Sequence, residues 1–479
     1  MSYRDQPARP GCGDAGRFRS EVRRRNGATG LVGAAMVLLL VRGSWAAPPG
    51  SMDQGRTNVL WLTICTLRAD HLGAYGYPYE TSPVIDALAW KGVLFERALT
   101  PAPWTRPSVA AAITGLYPRS LNIDEPANRF NRRRLHEKFL TLAEILKGHG
   151  YYTVGITANP NTNAVFNFDQ GYDYYEDTGD YVFWLSQQAE RKRIAEQVNA
   201  AFLHHLCGPG KGKKFFAHLV YVDVHQPLLD RVIDGKFPEL ELALKNTPVP
   251  RYDRQIRYVD TQTGRLLEQL KEMGLEDTLV VITSDHGEAF GLAHPEDKWH
   301  GRALYNAAIW VPFILYHPSL EQMVHRRPER VDLACIAPTI VDLLGIEHEF
   351  PANGATSLRP LIEGRGGRSP FSHYVIETFF EEVNMQAVLW SDWKLIVNHP
   401  SAEDGKPSEG QPVYELYQFE KDRQERENTA SARPYQVRQM LGMLAEWERA
   451  RPPLVPAEEI EVEVGTQIFE DLKALGYID

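Results

Sequence analysis

The sequence predicts an α/β fold with a doubly wound, mostly parallel sheet and a smaller C-terminal subdomain built on an antiparallel sheet. Two observations support this prediction. Short apolar runs alternate with segments of helical spacing between residues 58 and 344, as expected for strands buried between layers of helices. From about residue 369 the apolar runs follow one another without intervening helices, which favours an antiparallel sheet.

The predicted strands of the first sheet are short and apolar, and polar residues follow them. The runs 58–64 and 215–222 are almost uninterrupted, which is typical of strands covered on both faces. The elements are predicted, in order, as strand 58–64, helix 82–89, strand 93–95, helix 109–116, helix 140–149, strand 153–157, helix 191–206, strand 215–222, helix 252–273, strand 279–284 and strand 310–315. Residues 159–175, rich in Asn, Asp and Tyr, are predicted to form a loop over the sheet.

The C-terminal pattern predicts strands, then helices. The strands are 373–377, 385–397 and 413–417, with a polar hairpin loop at 401–411, and the helices are 435–449 and 466–475. The predicted domains are therefore a catalytic domain at 55–345 and a C-terminal α+β subdomain at 366–479.

Length and charge limit the class of protein. The chain has 479 residues, 43% of them hydrophobic, which exceeds what one core usually serves and predicts a large domain with a smaller companion. Its net charge of −10 argues against a nucleic-acid partner, because affinity for phosphate backbones comes from clustered Lys and Arg. The basic run 132–134 is predicted to be a solvated loop face.

The N-terminus predicts export. Five arginines between residues 17 and 25 precede the apolar run 31–41, and Ser44 and Ala46 are the small residues expected before a cleavage site. We therefore expect a signal peptide over 1–46 and a periplasmic or extracellular protein, with no membrane contact indicated after cleavage. A short membrane anchor and an overlong N-terminal extension are the alternatives. Three cysteines would remain, and this odd number implies no disulfide framework.

Thr105 lies just before the predicted helix 109–116. Pro107 fits the first turn of that helix and Gly115 lies near its end. The unpaired N–H groups and the dipole at a helix N-terminus favour an anion, so a hydroxyl here is well placed to meet a sulfate or phosphate group. Considered alone, Thr105 would be interpreted as an ordinary N-cap.

Polar side chains capable of catalysis or metal binding follow three of the predicted strands. Cys65, Thr66 and Arg68 follow 58–64, Asp223 and His225 follow 215–222, and Asp285, His286 and Gly287 follow 279–284. Ligands bind beyond the carboxyl ends of strands in open α/β sheets, so we expect these ends to converge with Thr105 on one cleft. The Asp285-His286 pair offers an oxygen and an imidazole to one divalent cation.

These motifs together resemble the sulfatase family of the alkaline phosphatase superfamily. The resemblance rests on 58–73, 103–118, Phe168-Asp-Gln-Gly-Tyr172, Asp223-Val-His225, 256–260, Ser284-Asp-His-Gly-Glu288 and 300–305, in this order. It implies an alkaline phosphatase-like fold and a metal-held nucleophile that attacks sulfur or phosphorus. By position, the resemblance implies Thr105 as nucleophile, Asp285 and His286 as metal ligands, and His225 and His300 near the substrate oxygens or the leaving group.

Three positions depart from the family pattern. Thr105 stands where sulfatases carry a Cys or Ser that is converted to formylglycine, and a threonine cannot be converted in that way. Val109 stands where the signature has a basic residue, and Cys65 where the family has its first metal-binding Asp. Phosphatases, phosphodiesterases and phosphotransferases of the superfamily resemble this chain in using a threonine nucleophile. A thiolate at Cys65 would favour zinc over magnesium or calcium.

The leading hypothesis is an exported, metal-dependent hydrolase that cleaves a sulfate or phosphate ester through a covalent intermediate on Thr105. Its catalytic residues are predicted as Thr105, His225, His300 and Arg68, and its metal ligands as Asp285, His286 and Cys65. The expected cofactor is one divalent ion, zinc, manganese, calcium or magnesium. The expected substrate is a small-molecule, glycan or lipid-head-group ester. The alternatives are a phosphotransferase with the same nucleophile and a catalytically silent protein that binds glycans or anionic polymers.

Overall fold

The computed structural model describes a large part of the chain. The described residues are 52, 56–123, 131–177, 194–228, 244, 246–323, 325–365, 369, 371–380, 383–400 and 411–474, all within the unit Pro49–Asp479. The predicted signal peptide at 1–46 and residues 401–410 of the predicted hairpin loop lie outside the described residues. Within those ranges, none of the helices has both the length and the apolar character needed to cross a membrane.

The described strands and helices follow one another in the alternation that the sequence predicts. The strands are β1 (Asn58–Ile64), β2 (Val93–Leu99), β3 (Asn131–Arg133), β4 (Tyr152–Thr157), β5 (Tyr174–Asp177), β6 (Phe215–Tyr221), β7 (Thr278–Thr283), β8 (Trp310–Val311), β9 (Phe313–Tyr316), β10 (Arg326–Asp332), β11 (Tyr374–Phe380), β12 (Val383–Trp390), β13 (Trp393–His399), β14 (Val413–Gln418) and β15 (Glu461–Glu463). The helices are α1 (Pro83–Lys91), α2 (Thr105–Thr114), α3 (Pro118–Leu121), α4 (Leu142–Gly148), α5 (Ala195–Cys207), α6 (Val249–Glu272), α7 (Asn306–Ile309), α8 (Ile336–Leu343), α9 (Arg359–Ile362), α10 (Pro434–Ala450) and α11 (Thr466–Ala474).

The central sheet has the strand order β10-β2-β9-β7-β1-β6-β4-β5, with β8 paired to β2. Five neighbouring strands, β7, β1, β6, β4 and β5, are parallel. β9 runs antiparallel to β2 and β7, and β10 is parallel to β2. A separate antiparallel sheet, β11-β12-β13-β14, follows near the C-terminus. The predicted fold class is confirmed.

Side chains of β1 alternate between the two hydrophobic cores that cover the sheet. Val59 and Trp61 belong to the core that also holds residues of α2, α4 and α8. Leu60 and Leu62 point to the other core, with residues of α1, α5 and α6. Because each fully buried apolar side chain contributes about 1.5–3 kcal/mol, a strand buried on both faces anchors the sheet at its centre. The polar residues after β1 are therefore held on a rigid support.

The C-terminal sheet packs against the central part of the molecule through both faces. Ile376 and Ile396 share a core with Leu304 and Ile309, while residues of the opposite face pack with α10. Thr378 Oγ1 donates a hydrogen bond of 2.7 Å to the carbonyl oxygen of Gly301. These contacts connect the sheet to the segment that carries His300.

Several predicted elements differ from the structure. The predicted strand 385–397 is two strands, β12 and β13, because Ser391 turns the chain with φ of 51°. Pro312 separates β8 from β9, since proline cannot donate to the ladder. β5 lies partly inside the predicted loop 159–175, and β10 carries so many charged residues that its apolar pattern is hidden. The basic run is not a solvated loop face: Arg132 belongs to β3 and is only 4% exposed.

Candidate active site

Thr105 is the first residue of α2 and is fully buried. The helix ends at Thr114 and is capped by Gly115, whose φ of 71° is the left-handed conformation that glycine adopts easily at a helix C-terminus. Ser108 Oγ, one turn after Thr105, donates a hydrogen bond of 2.6 Å to the carbonyl oxygen of Asp285. The start of α2 is therefore fixed against the end of β7.

The Thr105 hydroxyl lies between an imidazole and an amide. His286 Nε2 lies 3.3 Å from Thr105 Oγ1, and Asn159 Nδ2 donates to the same oxygen at 3.1 Å. Asn159 Nδ2 also lies 3.3 Å from Cys65 Sγ. The backbone N–H of Asn161 donates to Asn159 Oδ1 at 2.9 Å, which fixes the orientation of the amide. Asn159 thus contacts both Thr105 and Cys65, and Thr105 in turn contacts His286.

Sequence reasoning missed Asn159. It lies in the segment interpreted as a loop, two residues after the end of β4, and it is only 1% exposed. The signal available was its position, because β4 ends at the same edge of the sheet as β6 and β1.

His286 is held in one tautomer. Its Nδ1 lies 2.8 Å from the carbonyl oxygen of Gly287, so Nδ1 carries the hydrogen and Nε2 presents a lone pair toward Thr105. Burial lowers the pKa of His286 to about 4, although the neighbouring Asp285 acts in the opposite direction. A Cβ at Gly287 would lie 2.0 Å from the carbonyl oxygen of Ala307, so this turn requires glycine. The imidazole is therefore neutral near pH 7.

The two carboxylate oxygens of Asp285 have different surroundings: Oδ1 accepts backbone hydrogen bonds, and Oδ2 lies close to His286. Its Oδ1 accepts hydrogen bonds from the backbone N–H groups of Thr66 (3.1 Å) and His286 (2.9 Å). Its Oδ2 is buried and forms no hydrogen bond of good geometry with the described residues, and it lies 3.4 Å from His286 Nε2. Burial alone would raise the pKa of Asp285, but His286, the Thr105 hydroxyl and these N–H groups lower it below its ordinary value. Asp285 is an anion here.

Thr66 adopts an unusual backbone conformation beside the site. Its φ is 60°, in the left-handed region that β-branched residues rarely occupy. The Tyr252 hydroxyl donates a hydrogen bond of 2.6 Å to its carbonyl oxygen, and Asp285 accepts from its N–H. Such strain persists only where neighbours fix the conformation, and it is common at functional sites.

Two more histidines extend the site beyond His286. The ring centroids of His286 and His300 are 4.4 Å apart, and those of His300 and His225 are 4.9 Å apart. His300 Nδ1 lies 3.2 Å from a carboxylate oxygen of the fully buried Glu288, and burial lowers the His300 pKa to about 4. The structure therefore connects His225 and His300 to Thr105 through His286. Only His225 directly follows one of the strands that the sequence singled out, while His300 lies in the connection between β7 and β8.

Arg68 makes its contacts in a different place. Its guanidinium bonds Asp70 through Nε (2.9 Å) and Nη2 (2.7 Å), and Nη1 donates to the carbonyl oxygen of Glu288 at 3.1 Å. Burial opposes both charges, but the pair raises the pKa of Arg68 and lowers that of Asp70. The described contacts of Arg68 do not include Thr105, so its predicted catalytic role stays a prediction.

A metal site would have to be built on two of the three predicted ligands. Among the described residues, no group of three or more His, Cys, Asp or Glu side chains is placed to hold a metal ion, so Cys65, Asp285 and His286 do not form such a group. The donor atoms Thr105 Oγ1 and Asp285 Oδ2 lie 3.3 and 3.4 Å from His286 Nε2. Neighbouring ligands of a tetrahedral ion are about 3.3 Å apart. A buried carboxylate oxygen without a donor and an imidazole lone pair therefore fit one divalent cation.

The comparisons with known proteins agree on one family. The family model described as Sulfatase matches residues 57–346. The uncharacterized sulfatase YidJ of Escherichia coli (strain K12) is 26% identical over 402 residues, which are 72% of this chain and 79% of that protein. The delta 4,5-hexuronate-2-O-sulfatase of Bacteroides thetaiotaomicron is 26% identical over 441 residues, 77% of this chain and 84% of that protein.

A solved structure supports the fold. The crystal structure of the phosphonate monoester hydrolase of Agrobacterium radiobacter matches with a TM-score of 0.62 and 19% identity. The match covers 86% of this chain and 100% of that chain. At this identity the likeness concerns the fold alone.

Proposed function

Because the chain belongs to the sulfatase family, we propose that it hydrolyses a sulfate or phosphate ester through a covalent intermediate on Thr105, assisted by one divalent cation. The observation that carries this proposal is the position of Thr105 Oγ1, 3.1 Å from Asn159 Nδ2 and 3.3 Å from His286 Nε2 at the start of α2. The Thr105 hydroxyl is buried, accepts a hydrogen bond from Asn159 and faces the lone pair of His286 Nε2. Because it also lies at a helix N-terminus, which favours anions, it is well placed to attack an anionic ester.

Asp285 and His286 would hold the cation, through Oδ2 and Nε2. When bound, a zinc, manganese, calcium or magnesium ion neutralises the ester charge and lowers the pKa of a nearby hydroxyl. The chain's own contribution is orientation. Asn159 fixes the Thr105 oxygen, and the Nδ1–H of His286, engaged by the carbonyl of Gly287, keeps Nε2 directed at the site.

His300 and His225 are suited to move protons. The Nδ1–H of His300 faces the Glu288 carboxylate at 3.2 Å, which leaves Nε2 as the acceptor of the neutral ring. This nitrogen acts as the base that accepts a proton from the water molecule that hydrolyses the Thr105 ester. In the first step the Thr105 hydroxyl, whose pKa a bound cation would lower, would release its proton to solvent, and Thr105 Oγ1 would form its ester bond as the bond to the alcohol oxygen breaks. A bound anionic substrate raises the pKa of a nearby imidazole, so protonated His300 would donate its proton to the departing alcohol.

Phosphorus suits Thr105 better than sulfur. The formylglycine of sulfatases requires Cys or Ser, so a threonine must form an ordinary sulfate or phosphate ester that water then cleaves. The shared fold with a phosphonate monoester hydrolase is in keeping with phosphorus chemistry. For the organic part we propose a glycan, because the relative from Bacteroides thetaiotaomicron is named for a hexuronate sulfate.

A second candidate function is a catalytically silent glycan-binding protein. The observation that favours it is Cys65, which stands at the first metal-ligand position and forms no group of three ligands with Asp285 and His286 in the described part of the chain. The two functions make opposite predictions for turnover.

The test is turnover of chromogenic sulfate and phosphate monoesters by the full chain with each of the four metals. We expect Thr105→Ala to abolish activity, and Thr114→Ala, the same substitution at the other end of α2, to retain it. Quenching wild-type enzyme during turnover and mapping modified peptides should find the ester on Thr105. Equal rates in wild type and Thr105→Ala would refute the nucleophile, and no turnover with any metal would favour the silent protein. Transfer to an added alcohol would indicate a phosphotransferase.

We also propose that the protein is exported by the N-terminal segment 1–46. The support is the sequence pattern alone, arginines followed by an apolar run and small residues. Fractionation of expressing cells and N-terminal sequencing should give a periplasmic or extracellular protein that begins at Ala47. A cytoplasmic protein that retains Met1 would contradict this.

A further inference from the structure

A cavity of about 320 Å³ lies apart from the Thr105 site. The lining residues that matter here are Arg68, Asp297, Tyr305, Arg423 and Arg426. Thr105, Asp285, His286 and His300 do not line it. Cavities of about 300 Å³ or more are typical of small-molecule sites.

Asp297 supplies a carboxylate acceptor in the wall of this cavity. The residue is 9% exposed, and its carboxylate accepts no hydrogen bond from the described residues. Burial and the nearby Glu288, Glu296 and Glu425 raise its pKa to about 7. Asp297 lines the cavity, so the hydroxyl groups of a ligand bound there can donate hydrogen bonds to its carboxylate oxygens.

Two guanidinium groups of the cavity are available to a ligand. Arg68 is already paired with Asp70, but Arg423 has a side chain that is 64% exposed and lies 4.0 Å from Glu420. Arg426 is exposed and forms no ion pair with the described residues. Guanidinium groups bind carboxylate and sulfate oxygens through paired N–H donors. The cavity therefore combines a buried acceptor with exposed cationic groups.

The segment 423–426 is held rigidly over the cavity. Glu425 has φ of 54° and is 1% exposed, and its carboxylate pairs with the fully buried Lys394 and accepts from the backbone N–H of Asn306 at 2.6 Å. His294 Nε2 lies 3.2 Å from the carbonyl oxygen of Gln424. A strained residue fixed by so many contacts is often part of a ligand clamp.

We propose that this cavity binds one anionic sugar unit, with ring hydroxyls donating to Asp297 and a carboxylate or sulfate group paired with Arg423 and Arg426. The ring lies beside the wall formed by Phe290 and Tyr305. Because Thr105, Asp285, His286 and His300 do not line the cavity, this binding is separate from the proposed nucleophile and metal ligands.

The test is titration of the full chain with glucuronate, galactose 6-sulfate and galactose, followed by ligand-detected NMR. We expect both anionic sugars to bind about tenfold more tightly than galactose. Arg426→Gln should reduce the affinity for the two anionic sugars to the affinity for galactose. Lys421→Gln, which also removes one positive charge from a nearby residue, should not reduce it. Glucuronate and galactose 6-sulfate separate a carboxylate preference from a sulfate preference.

Asp297→Ala should weaken the binding of all three sugars about tenfold. Asp297→Leu, which keeps a branched side chain of similar size but has no acceptor, should have the same effect if the alanine variant does not fold. Glu296→Ala, at the adjacent residue outside the cavity lining, is the matched control. Thr105→Ala should leave sugar binding unchanged. The proposal is overturned if none of the sugars binds at millimolar concentration, or if affinity does not depend on Asp297.

Discussion

The side-chain nitrogen of Asn159 donates a hydrogen bond of 3.1 Å to Thr105 Oγ1. The same nitrogen lies 3.3 Å from Cys65 Sγ, so one amide orients the proposed nucleophile against the end of β1. If Thr105 attacks the ester, Asn159→Ala should lower kcat about 10- to 100-fold with a smaller change in KM, because a positioning residue acts on the reacting oxygen rather than on ground-state binding.

Asn163→Ala is the matched control for that substitution. Asn163 lies four residues further on, and its side chain accepts from the backbone N–H of Val165 instead of contacting Thr105. Steady-state rates of the two variants, with melting temperatures as a check of folding, test whether Asn159 positions Thr105. Similar kcat values for both variants would show that Asn159 has no positioning role.

The fold was largely predictable because strands buried on both faces leave long apolar runs in the sequence. β1, β6 and β7 were predicted within one residue at each end, since apolar side chains fill both of their faces. β10 gives no such signal because it includes Arg326, Arg327, Glu329 and Arg330. Its pairing with β2 depends on tertiary contacts that a local pattern does not contain.

The site was predictable where residues directly follow strands. His286 and His225 could be placed together because they follow β7 and β6, the two parallel strands that flank β1. Asn159 and Glu288 needed three-dimensional information, since the orientation of an amide or of a buried carboxylate depends on residues distant in sequence. Arg68 was grouped with the site by its position, yet its guanidinium turns to Asp70.

Stability should fall on acidification because two site histidines are buried in neutral form. Burial lowers the pKa of His286 and of His300 to about 4, below the value of about 6.5 expected in the unfolded chain. Between these values the unfolded state binds more protons, so the free energy of unfolding should decrease as pH falls from about 6.5 to 4. Each histidine contributes a slope of about 1.4 kcal/mol per pH unit.

Urea unfolding of metal-free protein at several pH values measures this slope. Replacing both His286 and His300 by Gln should reduce the slope, and His218, whose pKa burial lowers to about 3, should maintain the remainder. Replacing the exposed His204 by Gln is the control. An identical slope in wild type and the double variant would show that these two rings do not titrate on unfolding.

The buried pair Lys394 and Glu425 should be important for stability. Both residues are at most 1% exposed, and Lys394 Nζ also donates to Leu304 O (2.8 Å) and Asn306 Oδ1 (2.9 Å). Lys394→Met leaves a buried carboxylate without its cation and should cost about 3–5 kcal/mol of unfolding free energy. In urea unfolding, adding Glu425→Gln to Lys394→Met should recover part of that loss. Additive losses would argue against coupling of the pair.

Metal preference tests whether the Cys65 thiol takes part in binding the cation that Asp285 and His286 are proposed to hold. Its Sγ accepts from Asn159 Nδ2 at 3.3 Å, and it stands where the family carries an aspartate. A thiolate suits zinc, while carboxylates suit magnesium, calcium and manganese. Cys65→Asp should therefore raise both the affinity for these hard cations and the esterase rate, and Cys65→Ala should lower zinc occupancy.

Metal analysis of the purified variants, with rates for each added ion and after chelation, tests the role of Cys65. Cys207→Asp, at the end of α5, is the control and should change neither quantity. We expect a chelator to abolish turnover, because Asp285 and His286 alone cannot neutralise the ester charge. Turnover that survives chelation would instead make His286 Nε2, 3.3 Å from Thr105 Oγ1, the base that takes the hydroxyl proton. If neither Cys65 substitution changes bound metal or rate, the thiol is only a buried core residue; if the wild type and Cys65→Asp both lack turnover with every metal, the silent glycan-binding protein becomes the better interpretation.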